Sequence, residues 1–134
     1  MNKAANRILV LDDDPDIGIM IKIMLEYKGY SVILTDRADK AEDMISTDGI
    51  NLLIMDMLLS GTNGTDVCMA LKQNSLTASI PIMMISAHPN AKQICLDAGA
   101  DDFISKPFDM QDLIGKIDRL MHAKGNSGNN NAEK

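Results

Sequence analysis

Five short runs along the chain are almost purely apolar: Ile8-Leu9-Val10-Leu11, Val32-Ile33-Leu34, Leu52-Leu53-Ile54-Met55, Ile82-Met83-Met84-Ile85 and Phe103-Ile104. None alternates apolar with polar, so each is predicted to be a strand covered on both faces, as in a parallel sheet flanked by helices. The segments between them carry helical periodicity. Asp14-Pro15 supplies an N-cap followed by proline at the first helical position, and Gly29 ends that helix. A second helix is predicted over Asp36 to Thr47, with Ala38, Ala41, Met44 and Ile45 on one face. A third is predicted over about Thr65 to Gln73, and a fourth over about Asn90 to Ala98, closed by Gly99. The fifth starts after Asp109 and lines up Met110, Leu113, Ile114, Ile117, Leu120 and Met121.

Five βα units in succession predict an open, doubly wound (βα)5 domain of the α/β class. Right-handed crossovers leave few topologies, and the flavodoxin-like parallel order 2-1-3-4-5 is the common five-strand solution. The chain has 134 residues, enough for one core. Residues 1–124 are expected to form that domain. From 125 to 134 the sequence GNSGNNNAEK is polar and rich in Gly and Asn, which predicts a disordered tail or linker stub.

Charge and composition narrow the function. The net charge is −6, and Lys and Arg are nowhere clustered, which argues against nucleic-acid binding by this chain. No apolar run reaches the roughly 20 residues of a membrane helix, so no membrane association is expected. Lys3 and Arg7 precede an apolar stretch cut short by Asp12, Asp13 and Asp14, which is not the pattern of a secretory leader. Cys68 and Cys95 are the two cysteines and read as small buried hydrophobes. A cytoplasmic protein with reduced thiols is the resulting expectation. Eleven methionines, against two Tyr, two Phe and no Trp, predict a soft core.

In an open α/β sheet, ligands bind beyond the carboxyl ends of the strands, where the strand order reverses. The first run ends in Asp12-Asp13-Asp14, the third in Asp56, the fourth in Ser86 and the fifth in Ser105-Lys106-Pro107. In the order 2-1-3-4-5 these four strands are neighbours, so their polar ends meet on one rim. Thr35-Asp36, after the second strand, falls outside it. Carboxylates held together repel unless a cation or proton intervenes. An all-oxygen ligand set selects a hard cation, Mg²⁺ or Mn²⁺. A lysine and a serine beside such a set suit phosphoryl transfer, which depends on positioning and charge neutralisation, and a carboxylate can be the nucleophile. Asp14 and Asp109 read as helix caps. Ser86 alone would be a turn residue and Lys106 alone a surface lysine; their joint occurrence at adjacent strand ends carries the reading. His88 and His122 fit no metal-ligand spacing.

From about residue 7 to 122 the chain resembles the response-regulator receiver family. ILVLDDDPDI is similar to that family's first strand and acidic pair, which falls on Asp12 and Asp13. LLIMDMLLSGTNG resembles its phosphoacceptor strand and loop, with Asp56 as acceptor and Gly64 as the loop glycine. PIMMISAH resembles its fourth strand, with Ser86 as the hydroxyl residue and Ala87 after it. AGADDFISKPF resembles its fifth-strand region, with Phe103 as the switch aromatic and Lys106 as the lysine. The resemblance implies Mg²⁺ held by Asp13, Asp56 and the Leu58 backbone carbonyl, with Asp12 acting through water, and a cis Lys106–Pro107 peptide. It implies a sensor histidine kinase or histidine phosphotransferase as donor, and a downstream partner or a second copy reading the surface of the fourth helix, fifth strand and fifth helix. Ser60 stands where the family usually has proline, Phe103 replaces a frequent tyrosine, and Leu58 places an apolar side chain beside the acceptor. Between Ile17 and Leu25 only Gly18 and Lys22 are not apolar, more than one core-facing stripe can bury. Ile19 and Ile23 are therefore candidates for docking the donor. An alternative is a haloacid-dehalogenase-like phosphatase with Asp12 as nucleophile and Asp101 or Asp102 on the metal; it leaves Asp56 without a role.

Overall fold

The computed structural model describes residues 6–133 apart from Ser60, and for 123–133 the backbone alone. Five strands, β1 (Arg7–Leu11), β2 (Ser31–Thr35), β3 (Leu52–Asp56), β4 (Ile82–Ser86) and β5 (Asp102–Ser105), form one parallel sheet in the order β2-β1-β3-β4-β5. Every apolar run became a strand at the expected place. A small antiparallel hairpin, Leu58–Leu59 with Thr62–Asn63, follows β3 outside the sheet.

The helices are α1 (Pro15–Tyr27), α2 (Ala41–Asp48), α3 (Gly64–Gln73), α4 (Ala91–Asp97) and α5 (Met110–Glu133). Asp14 caps α1 by accepting from the Asp16 and Ile17 N–H groups, and Asp109 accepts from the Gln111 N–H at the start of α5. The second helix departs from expectation. Ala38–Lys40 forms a separate 3-10 turn, and α2 proper begins at Ala41. Arg37 stays extended ahead of the turn and pairs with Asp39, and no side chain caps it. The polar stretch from 125, expected as a tail, continues in backbone as the end of α5 to Glu133, and Ser60 lies outside the described residues.

Alternation along the central strands divides the core. Leu9, Leu11, Leu53, Met55, Ile82 and Met84 face α2, α3 and α4, joined there by Ala41, Ile45, Cys68, Leu71, Ala91 and Cys95. Ile8, Val10, Leu52, Ile54, Met83 and Ile85 face α1 and α5, meeting Ile21, Leu25, Leu113, Ile114 and Ile117. Phe103 packs on the first layer and its neighbour Ile104 belongs to the second. Each fully buried aliphatic side chain contributes roughly 1.5–3 kcal/mol. Met55, Met83 and Met84 have no exposed surface and fill the middle of the sheet. Both cysteines are buried; burial pushes the Cys68 thiol up to about 11 and raises the Cys95 thiol as well, so neither is poised as a nucleophile.

The turn from β3 into α3 folds back tightly at Gly64. A Cβ there would collide with the Asp56 carbonyl oxygen and lie 2.7 Å from that of Met57. Gly115, within α5, has open space where a Cβ would go. Gly64→Ala is expected to destabilise the protein by about 1–3 kcal/mol, whereas Gly115→Ala should stabilise it by up to about 1 kcal/mol. Urea-unfolding midpoints should therefore move in opposite directions.

Candidate functional site

The carboxyl ends of β1, β3, β4 and β5 meet on one rim, because these strands are consecutive in the sheet. Asp56, the last residue of β3, is 8% exposed, and Asp12, just past β1, is 9% exposed. Ser86 closes β4 and is buried. Lys106, one residue past β5, donates from Nζ to Asp56 Oδ2 at 2.7 Å. The peptide that follows it, Lys106–Pro107, is cis, as the resemblance implied. Asp13 sits half-buried beside this group.

Backbone donors hold these side chains in place. The Leu58 N–H donates to Asp56 Oδ1 at 3.1 Å, the Asp14 N–H to Asp12 Oδ1 at 2.8 Å and the His88 N–H to Ser86 Oγ at 3.0 Å. The sequence names none of these donors, since every residue type but proline carries an N–H. Leu58, Asp14 and His88 thus serve the site through the main chain. The Leu58 side chain is exposed.

Charge at the rim is unbalanced. Burial drives the Asp12 carboxyl above its ordinary range; the Asp14 N–H pulls it back, and the nearby Asp56 charge adds to the rise. Burial alone would lower the Lys106 ammonium, but its hydrogen bond to Asp56 and the charge there outweigh this and leave it raised. Asp12 Oδ2 is buried with no hydrogen-bond partner, a costly state for an ionised oxygen. A divalent cation with its water shell answers that need, so the residues present fit a hard cation. Among the described residues no three His, Cys, Asp or Glu side chains form a closed metal cage. The rim is instead of the kind in which backbone oxygens and water complete the shell around one or two carboxylates, as is usual for Mg²⁺.

Residues assigned by the phosphatase alternative lie elsewhere. Asp101 Oδ2 accepts from Lys72 Nζ and the Ile82 N–H, and Asp102 pairs with Lys116. Neither reaches toward Asp12. Of the surplus apolar residues on α1, Ile19, Met20 and Ile23 are 48%, 47% and 60% exposed, and Tyr27, one turn beyond Ile23, is more open still. Tyr27 was missed because Glu26 separates it from the apolar stretch that ends at Leu25, although its i+4 spacing from Ile23 marks the same face.

The profile described as response regulator receiver domain matches residues 8–118. The phosphate regulon transcriptional regulatory protein PhoB of Pseudomonas aeruginosa is 33% identical over 120 residues, covering 88% of this chain and 52% of that protein. The chain spans about half the length of the curated relatives it matches. A crystal structure of a response regulator from Chloroflexus aurantiacus superposes with a TM-score of 0.82 at 31% identity, covering 87% of this chain and 98% of that one. The receiver domain of a Pseudomonas aeruginosa PAO1 sensor histidine kinase, described with a magnesium ion coordinated in its active-site cleft, superposes at 0.79 with 24% identity over 88% and 98% of the two chains.

The raised Asp12 carboxyl has a definite pH signature. Below the unfolded value of 3.8 the group is protonated in both states and costs nothing. As pH rises through its higher folded value, ionisation favours the unfolded chain. Asp12→Asn keeps the acceptor facing the Asp14 N–H and removes the charge. Its urea midpoint in chelator should exceed the wild type's near neutral pH, with the gain fading below 3.8. A constant difference across that range would refute the assignment.

Proposed function

The chain belongs to the response regulator receiver domain family, and on that premise we propose that Asp56 accepts a phosphoryl group from a phosphohistidine donor in a Mg²⁺-dependent reaction. Receiver domains of this family are signalling switches, and the chemistry is proposed here for these particular residues. The observation that carries it is the buried Asp56 carboxylate held by Lys106 Nζ at 2.7 Å, beside a buried Asp12 oxygen that lacks a partner.

In this reading an Asp56 carboxylate oxygen attacks phosphorus. A P–O bond forms as the donor's P–N bond breaks, and the electron pair leaves with the imidazole, which takes a proton from solvent. Lys106 Nζ follows the charge from the carboxylate to the transferring phosphoryl oxygens. The Leu58 N–H keeps the attacking group oriented. Asp13, Asp56 and the Leu58 carbonyl would hold Mg²⁺, with Asp12 acting through water. Bound there, the ion would neutralise charge on the phosphoryl oxygens. The same residues would later position a water to hydrolyse the aspartyl phosphate.

The donor is a sensor histidine kinase or a histidine phosphotransferase, and the proposal places this exchange in the cytoplasm. Among the described residues no helix is long and apolar enough to cross a membrane. An apolar cleft lined by Ile17, Met20, Ala87, Lys106, Pro107 and Phe108 opens beside the acceptor's lysine and shares Met20 with the exposed face of α1. That continuity supports docking of the donor on α1. Incubation with acetyl phosphate or with the phosphorylated protein donor should add one phosphoryl group to the wild type and none to Asp56→Asn. Ile19→Lys and Ile23→Lys should be labelled normally by acetyl phosphate and at least several-fold more slowly by the protein donor. Intact-mass time courses decide it: full labelling of Asp56→Asn removes the acceptor assignment, and equal slowing with both donors removes the docking face.

Output is proposed to run from Ser86 to Phe103. A phosphoryl group adds acceptor oxygens near Ser86, whose hydroxyl turns toward it and vacates space into which the Phe103 ring moves. Phe103 is half-buried against the layer that holds Ala91, Cys95 and Ala98, and an apolar ring gains from further burial. The surface that changes is α4-β5-α5, read by a downstream partner or a second copy. Lys92, Gln93, Asp97, Asp112 and Arg119 are exposed on it, while Lys116 is already paired with Asp102. Beryllofluoride should shift α4 and α5 amide resonances in the wild type, and Ser86→Ala should bind it with those shifts largely lost. Full-sized shifts in Ser86→Ala would overturn the coupling.

A further inference from the structure

We infer that Asp14 is a positioning residue for Asp12: by capping α1 with its side chain, it fixes the backbone N–H that aims Asp12's open oxygen into the rim. The inference rests on the Mg²⁺-dependent reading above and extends it to a residue that reads, from sequence, as a helix cap alone. Two sets of contacts meet at Asp14. Its Oδ1 accepts from the Asp16 N–H at 3.0 Å and the Ile17 N–H at 3.5 Å, which holds the residue extended at φ −93° and ψ 105° just before Pro15. From that fixed position its own N–H donates to Asp12 Oδ1 at 2.8 Å.

A carboxylate with one oxygen tied is restricted in rotation about its terminal torsion, so the direction of the other oxygen is set as well. That other oxygen, Asp12 Oδ2, is buried and without a hydrogen-bond partner. Helix α1 is thus the anchor, the Asp14 carboxylate the latch and its N–H the pointer. Asp14 also has a charge that Lys106 feels, so charge and latch must be separated by experiment. Asparagine retains a cap acceptor at this position and lacks the charge, whereas alanine lacks both.

The test is a Mg²⁺ titration of thermal unfolding and of acetyl-phosphate labelling in wild type, Asp14→Ala, Asp14→Asn, Asp13→Ala and Asp109→Ala. Asp109→Ala removes the α5 cap and so controls for loss of a cap as such. Asp14→Ala should bind Mg²⁺ about tenfold more weakly, in the range of other outer-shell changes. Its labelling rate should approach that of the wild type at saturating Mg²⁺. Asp14→Asn should retain wild-type affinity, as should Asp109→Ala despite its lower stability. Unchanged affinity in Asp14→Ala, with only the midpoint lowered, would overturn the inference and leave the site reading intact. Equal weakening in Asp14→Asn would assign the effect to charge and overturn it too. If the wild type shows no response to Mg²⁺, or Asp13→Ala binds as tightly as the wild type, the site reading itself falls and takes the inference with it.

Discussion

Two carboxylates buried at one end of a parallel sheet, with a single lysine between them and the solvent, set the terms for the rest of this molecule. Asp12 and Asp56 are each more than nine-tenths buried, and Lys106 is committed to Asp56. Asp56 is paired with Lys106 and Asp12 Oδ1 accepts from the Asp14 N–H, but Asp12 Oδ2 is buried with no hydrogen-bond partner, an unfavourable place for a second negative charge. Folding without a ligand therefore leaves a deficit at this rim, and whatever supplies positive charge there binds at the expense of strain already present.

The sheet makes such an arrangement sustainable. Its three central strands are buried along almost their whole length, and the two layers of helices grip alternate residues of each strand. A rim built on that foundation can hold like charges near one another because the strand ends do not splay. Lys72 reinforces the opposite end, where its Nζ donates to the Ala78 and Ile80 carbonyls and to Asp101, whose same oxygen accepts from the first N–H of β4.

Much of this was legible in the residues themselves. The strands showed because they are continuous apolar runs, and their order followed from crossover handedness and the common five-strand solution, with the meeting of Asp12, Asp56, Ser86 and Lys106 as its consequence. The start of α2 was not legible, because the apolar spacing around Ala38 fits either a 3-10 or an α turn. The excess of apolar residues on α1 was visible, and Ile19 and Ile23, singled out from it, are indeed open; that Met20 and Tyr27 join them was not, since that depends on where α5 and β2 cover the helix. Least legible were the main-chain donors from Leu58, Asp14 and His88 and the isolation of Asp12 Oδ2, because backbone geometry leaves no trace in residue type.

Strand β5 is both the edge of the sheet and the partition between its two layers. Phe103 leans into the layer of α4, and Ile104, the next residue, into that of α5. Side chains on adjacent residues of a strand point in opposite directions, so the strand works as a lever with its fulcrum in the plane of the sheet. A twist about its own axis that presses the ring into one layer withdraws the aliphatic side chain from the other. Under the proposed output path, a displacement of Phe103 would act on α4 and α5 in opposite senses, and a surface spanning both helices would change shape even with neither helix altered internally.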